Sequence, residues 1–339
     1  MNRALRQKAT TPGIRLTLVM GLVGLTGYAC STKSPTPGPP GASETTGSGV
    51  VTTVGSGGDS SSGGGSAGGA DNSGGGATGA LCPLGDAWNV GAIVDELSSP
   101  SGEMIASVTP DELSLAWVEP VAGGGIIHYV DRGALSMPFG FAQAITAVDL
   151  DPLQGIALSQ DGLRLVMVRA KGLGFVEQTR AFRGDPFDKP SSAPYASINA
   201  LAAQQAGLTF ADPVLSGDDG VFIYSQFSGV AGPTLFESQR SGLDPWPVGA
   251  GLTGKLLTMA DGKRRRPTGL SSDLRSLFYH DDVSGKLRVA FRAAKTGQFT
   301  AASDINAGIT GQPNYSCTRL YYTGQEGGKA HVWVTGLKP

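Results

Sequence analysis

Few side chains in this sequence have types and spacing suited to chemistry. The chain has 339 residues, with three histidines and three cysteines. His128, His280 and His331 stand far apart, and none belongs to an H-x-H or H-E-x-x-H spacing that would set two imidazoles on one metal. A site pairing them with Asp281 or Asp282 has no ligand pattern behind it, so they read as hydrogen-bonded strand histidines and no metal is expected. Asp281-Asp282-Val-Ser-Gly285 and Asp149-Leu-Asp151 lack the oxygen-ligand periodicity of a calcium loop and read as polar turns. Gly123-Gly124-Gly125 has no helix after it to complete a phosphate cradle. There is no G-x-S-x-G, Walker loop or other catalytic signature, so no catalytic residue and no cofactor is assigned. The one charge cluster is Lys263-Arg264-Arg265-Arg266, read as part of a connection ahead of a strand. It offers a contact for an anionic partner such as a surface polysaccharide or a lipid head group, and its plain reading is a solvated loop. A net charge of −2 leaves nonspecific nucleic-acid binding without an electrostatic driver.

The elements that would position such residues begin after a long leader. Arg3, Arg6, Lys8 and Arg15 form a positive segment ahead of an apolar run, Leu16 to Thr26, that is short for a bilayer span. Small residues follow at Gly27 and Ala29, and then Cys30. This arrangement resembles a bacterial lipoprotein signal, which implies removal of residues 1–29, lipidation of Cys30 and membrane attachment through that lipid. Gly27 stands where such signals usually carry Leu, and Gly27-Tyr28-Ala29 also suits ordinary cleavage with secretion. By the same resemblance, Ser31 after the Cys favours the outer membrane. Residues 30–80 turn from Pro/Thr-rich to Gly/Ser-rich with almost no bulky apolar side chain, the composition of a disordered tether. A Gly/Ser coil of that length reaches about 35–45 Å.

From residue 81 to 339 one phrase recurs. It runs Leu158-Ser-Gln-Asp-Gly-Leu-Arg-Leu-Val-Met-Val168, and returns at Val108–Val118, Leu215–Ser225 and Leu270–His280. A weaker fifth copy at Pro313–Thr323 has Ser316 in place of the Asp. Each copy reads as the end of one strand, a tight turn and an alternating second strand. A third strand then ends in Arg132, Arg180, Arg240 or Arg292, and an aromatic follows six or seven residues later: Phe139, Phe187, Trp246 or Phe299. The aromatic leads into a fourth strand. Four antiparallel strands recurring every 50 residues or so make an all-β propeller.

The fifth unit stops after three strands. At the other end, Trp88 to Val94 precedes the first phrase as Phe139 precedes the second, but lacks three strands of its own. It is therefore expected to complete the last blade, so that both termini share one sheet and no edge is left open. The count is five blades, and six if a degenerate blade hides in the wide intervals 185–212 or 241–268. The L-S-x-D-G-x-x-L phrase, with its downstream Arg and then Pro-Phe, resembles the TolB-type or WD40-like propeller repeats of bacterial envelope proteins, over residues 86 to 337. That resemblance implies a periplasmic or surface protein and brings no catalytic residues with it.

Cys82 and Cys317 form an even pair in an exported chain. Cys82 precedes the strand that should dock on the blade containing Cys317. A disulfide there would close the ring, constraining the unfolded chain by up to roughly 5 kcal/mol in a chain-entropy model. The expected function is a membrane-anchored, non-catalytic binding or scaffolding module for an envelope protein or glycan. The alternative is a propeller hydrolase or lyase acting on polysaccharide, which needs two carboxylates converging on the central channel.

Overall fold

The fold is seen in a computed structural model that describes residues 82–338, apart from 84–86, 98, 100, 146–148, 217, 229–230, 253–264 and 306–307. The expected signal segment, Cys30 and the expected tether lie outside the described residues, as do Lys263 and Arg264.

Five antiparallel sheets form the five blades of a β-propeller, four of them with four strands. Blade one holds β2 (Met104–Val108), β3 (Ser114–Val121), β4 (Gly124–Asp131) and β5 (Gln143–Ile145). Blade two holds β6 (Ile156–Leu158), β7 (Arg164–Val168) and β8 (Phe175–Thr179). Blade three holds β9 (Leu208–Leu215), β10 (Val221–Ser228), β11 (Ala231–Gln239) and β12 (Ala250–Gly251). Blade four holds β13 (Arg265–Leu270), β14 (Ser276–Asp281), β15 (Lys286–Phe291) and β16 (Ala301–Ile305). Blade five holds β17 (Gly311–Pro313), β18 (Arg319–Glu326), β19 (Lys329–Gly336) and, from the other end of the domain, β1 (Ala92–Ile93).

The N-terminal strand closes the last blade. Ala92 pairs with Val334 and Ile93 with Trp333, and a bridge joins Trp88 to Leu337. The buried apolar side chains divide into five clusters, each shared by two adjacent blades. Leu115, Trp117, Tyr321 and Val332 join blades one and five, for example, and Ile223 of blade three packs with Leu277 and Tyr279 of blade four. The ring is therefore its own core, and each blade buries both faces against its neighbours.

Blade two departs from the repeat. Its fourth strand is reduced to a single bridge, Glu177 to Ser191. The interval that could have held a sixth blade instead contains α1 (Ala196–Gln204). Tyr195 and Ile198 sink into the cluster between blades two and three. The Asn199 side-chain amide donates to the Phe175 carbonyl, and its oxygen accepts from the Phe175 N–H, both at 2.8 Å. Asn199 thus serves Phe175 at one end of the edge strand, while Ser191 and Asp188 bond Glu177 and Thr179.

The repeated phrase builds one turn five times. In blade two the Ser159 hydroxyl donates to Asp161 at 2.5 Å and accepts from the Arg164 N–H, while Asp161 accepts from the Leu163 N–H. Thr109 with Asp111, Ser216 with Asp218 and Ser271 with Asp273 repeat this arrangement. In blade five Asn314 takes over, accepting from the Thr318 and Arg319 N–H groups. The residue after the Asp position is left-handed in every blade: Glu112, Gly162, Asp219, Leu274 and Cys317 have φ between 52° and 71°.

The arginine that ends each third strand clamps that turn. Arg180 Nε donates to the Gly162 carbonyl at 2.8 Å, and Arg292 Nε to the Leu274 carbonyl at 2.7 Å. Each guanidinium lies over its downstream aromatic, Arg132 on Phe139, Arg180 on Phe187, Arg240 on Trp246 and Arg292 on Phe299, at 4.0–4.7 Å. Two of them also reach back to the preceding blade. Arg180 grips both oxygens of Asp131 at 2.6 and 2.7 Å, and Arg292 meets Glu237 at 2.6 Å.

Burial opposes ionisation of Asp131, but hydrogen bonds from Arg180 and Ser114 outweigh it and hold the carboxyl below its ordinary value. A depressed folded-state pKa stabilises the fold above the unfolded value, near 4, and that contribution is lost as pH falls through the folded value. Asp131→Asn is expected to cost about 3 kcal/mol at pH 7, because it leaves Arg180 buried without its partner charge. The difference from the parent protein should shrink below about pH 4. Urea denaturation across that pH range checks both statements.

Candidate functional site

Antiparallel blades give the propeller two unlike faces. The turns between first and second strands and the connections between third and fourth strands share one face. The hairpins between second and third strands and the connections between blades share the other. On this second face the innermost strands open into a cup of about 340 Å³. Met104, Ile105, Leu153, Ile156, Pro213 and Ile309 supply most of its apolar wall, and Asp212, Arg266 and His280 supply its ionisable groups.

The cup does not run through the ring. Deeper in, the Gln312 side chain bridges three innermost strands. Its oxygen accepts from the Val108 N–H at 2.7 Å, and its amide donates to the Thr268 carbonyl at 2.9 Å. Ser107 continues the bridge, accepting from the Leu158 N–H at 2.9 Å. The strands are packed so closely there that a Cβ on Gly269 would meet the Gly311 carbonyl at 2.5 Å.

The cup wall is built from irregular strands. The registers of β2, β9 and β13 against their second strands each shift in this region. Ile105 and Asp212 sit in the first two irregularities with φ of 52° and 53°. A left-handed β-branched residue is a true outlier, because its branched Cβ crowds the backbone carbonyl. Such strain costs of order 1–3 kcal/mol, and bulges of this kind gather at functional sites. Nothing in the sequence marks Ile105, since a β-branched residue does not announce a left-handed turn; Asp212 is of a type that tolerates that region, but it stands before Pro213 inside a strand.

The sequence-singled residues are distributed as follows. Arg265 and Arg266 belong to β13 itself, not to a connection before it. Arg266 Nε stands 3.4 Å from Asp282, and Arg265 Nε 3.9 Å from Asp281. Of the basic cluster, only Arg266 lines the cup among the described residues. Each histidine has its own acidic neighbour: His128 meets Glu119 at 2.9 Å, His331 meets Glu103 at 2.9 Å and His280 meets Asp282 at 3.4 Å. Burial lowers the His280 pKa, the Asp282 charge opposes that shift and Arg266 adds to it. Its imidazole is therefore neutral near pH 7. Among the described residues no group of three or more His, Cys, Asp or Glu is placed to hold a metal ion. Cys82 and Cys317 stand on the opposite face with Cα atoms 5.2 Å apart and their sulfurs joined. Asp281 to Gly285 is a hairpin turn, closed by the Gly285 N–H on the Asp281 carbonyl.

No family model matches the chain. No curated protein matches it either. Solved structures do match. TolB from Acinetobacter baumannii has 15% identity and a TM-score of 0.42 over 72% of this chain. A putative TolB from Agrobacterium tumefaciens has 10% identity and a TM-score of 0.39 over 71%. A putative 6-phosphogluconolactonase from Bacteroides uniformis has 14% identity and a TM-score of 0.36 over 72%. The matched regions cover 56%, 82% and 69% of those chains, so this chain spans little more than half of the A. baumannii protein.

The strain at Ile105 is directly measurable. Ile105→Gly removes the steric conflict along with the side chain. Because the side chain also packs on the cluster between blades one and two, the comparison is with Ile105→Ala, and the Gly variant is expected to be the more stable of the two by about 1 kcal/mol. Urea denaturation reads the difference, and an Ala variant at least as stable as the Gly variant would show that the backbone there is unstrained.

Proposed function

We propose that this domain is a non-catalytic binding module on an exported chain lipidated at Cys30, and that it binds a protein segment through the cup. The observation that carries this reading is the pair of left-handed irregularities, Ile105 and Asp212, in the wall of an apolar cup. A fold that holds such strain at the open end of its axis has a shaped surface there. The wall is mostly aliphatic and suits an inserted apolar side chain. A sugar would want aromatic platforms, and His280 is the only aromatic ring among the described lining residues. Arg266 and His280 at the cup give an entering segment polar contacts to orient against.

The lining supports binding over hydrolysis. Among the described residues it supplies one carboxylate, Asp212, where acid–base cleavage of a glycosidic bond takes two. The localisation that goes with this reading is the cell envelope, with the outer membrane favoured by Ser31 after Cys30.

The test is photo-crosslinking in intact envelopes from a photoreactive residue at position 309, on the cup wall. A discrete protein adduct is expected. Ile309→Trp, which fills the cup, should weaken capture of that same protein by about tenfold at an unchanged melting temperature. Adducts that carry sugar in place of protein, or cleavage of envelope polysaccharide by the purified mature chain, would contradict the proposal.

A further inference from the structure

The face opposite the cup has a second distinctive surface. The connections between third and fourth strands start at the clamping arginines and end at the aromatics beneath them, so their bases are fixed. Their tips point away from the ring and are apolar in three consecutive blades. Blade one exposes Leu135 and Met137 in its connection and Phe141 two residues past the aromatic, at the lead-in to β5; blade two exposes Phe182 and blade three Leu243. These are not marginal exposures: Phe141 is 99% exposed, Phe182 72% and Leu243 82%. The cup face, among the described residues, shows only the lesser exposures of Val121, Leu173 and Val283. Large apolar tips gathered on one rim mark a candidate docking surface.

The place where the chain enters the domain points to the partner. Cys82 is fixed to Cys317 in the turn between the first two strands of blade five, and that turn lies on this same face. Tyr315 of that turn is exposed beside it. Cys82, the first described residue, therefore sits on the rim that carries the apolar tips. A lipid on Cys30 would keep the domain near a bilayer, at the high effective concentration a tether provides.

We propose that the rim bearing Leu135, Phe141, Phe182 and Leu243 docks on a phospholipid bilayer, the tips inserting at the level of the head groups and upper acyl chains. The cup then faces away from the membrane, open to its partner. The proposal relies on the lipidation reading only for bringing a bilayer close; the insertion itself follows from the tips. Charge around the tips is mixed, with Arg183 and Lys189 near Asp185, Asp188 and Asp244. Docking is therefore driven by apolar insertion and should resist salt, unlike a polybasic contact.

The experiment uses the exported Cys30→Ser chain, which cannot be acylated, so that membrane binding through the rim is measured apart from anchoring. It is mixed with vesicles of phosphatidylethanolamine and phosphatidylglycerol in 0.1 M and 0.5 M salt. Co-sedimentation is expected at both salt concentrations. The triple variant Phe141→Ser, Phe182→Ser, Leu243→Ser should lose it, at roughly tenfold in partition per tip. A Phe182→Trp reporter should shift its emission to the blue on vesicle addition, while a Val121→Trp reporter on the cup face should not. No binding, equal binding by the triple variant, or a blue shift at position 121 alone would overturn the proposal. So would sedimentation equilibrium showing that the tips pair two copies of the chain in the absence of lipid.

Discussion

The structure depends on the clamp between a third-strand arginine and the turn that joins the first two strands of its blade. The turn must place one residue in the left-handed region, and that residue's carbonyl is what the arginine Nε reaches in blades one to four. The guanidinium is buried against its aromatic, so its charge has to be met. Asp131 and Glu237 of the preceding blades meet it for Arg180 and Arg292. Arg132 uses Glu112, which also takes Arg319 and the Tyr321 hydroxyl from blade five. Burial, with the Glu112 charge second, pushes the Tyr321 hydroxyl up to about 12. A device that organises each blade thus also joins neighbours, which a ring needs because no single blade has a core of its own.

Blade five lacks the clamp. Leu337 occupies the arginine position, and its N–H still finds the Thr318 carbonyl as Arg132 finds Leu113. The left-handed residue of that turn is Cys317, and Cys82 reaches it in place of a guanidinium. The exception falls where the ring is closed by a strand from the far end of the domain, with only Ala92 and Ile93 in its ladder. Backbone bonds from Asn89 and Val94 to β19 extend that pairing, and the disulfide adds a covalent tie to it.

Much of this could be read from the sequence, and the reason is repetition. The phrase, the arginine and the aromatic recur together because they form one physical unit, so their spacing carried the blade count and the place of Trp88. The failures have physical causes too. In the blade-three turn Asp219, not the Gly220 beside it, takes the left-handed position, because the turn geometry fixes the position and not the residue type. Blade two keeps only the Glu177–Ser191 bridge of its fourth strand and adds the Asn199 amide of α1 on Phe175, an arrangement with no periodicity to show it. Four consecutive cations at 263–266 look solvated and read as a connection, whereas Asp281 and Asp282 on the neighbouring strand and its turn bring Arg265 and Arg266 into the sheet. The cup was invisible for a different reason. It is made by irregularities in strands of separate blades, and no local pattern records how they meet around an axis.

The ring closure is the point at which this description is most exposed to test. Under oxidising conditions the Cys82–Cys317 pair is expected to be oxidised. Amide exchange by mass spectrometry, compared before and after reduction, asks whether the pair does the work of a missing clamp. Exchange should quicken first at residues 88–94 and their partners 332–337, while blades one to four keep their protection. Equal acceleration around the whole ring, or none at residues 88–94, would contradict the account.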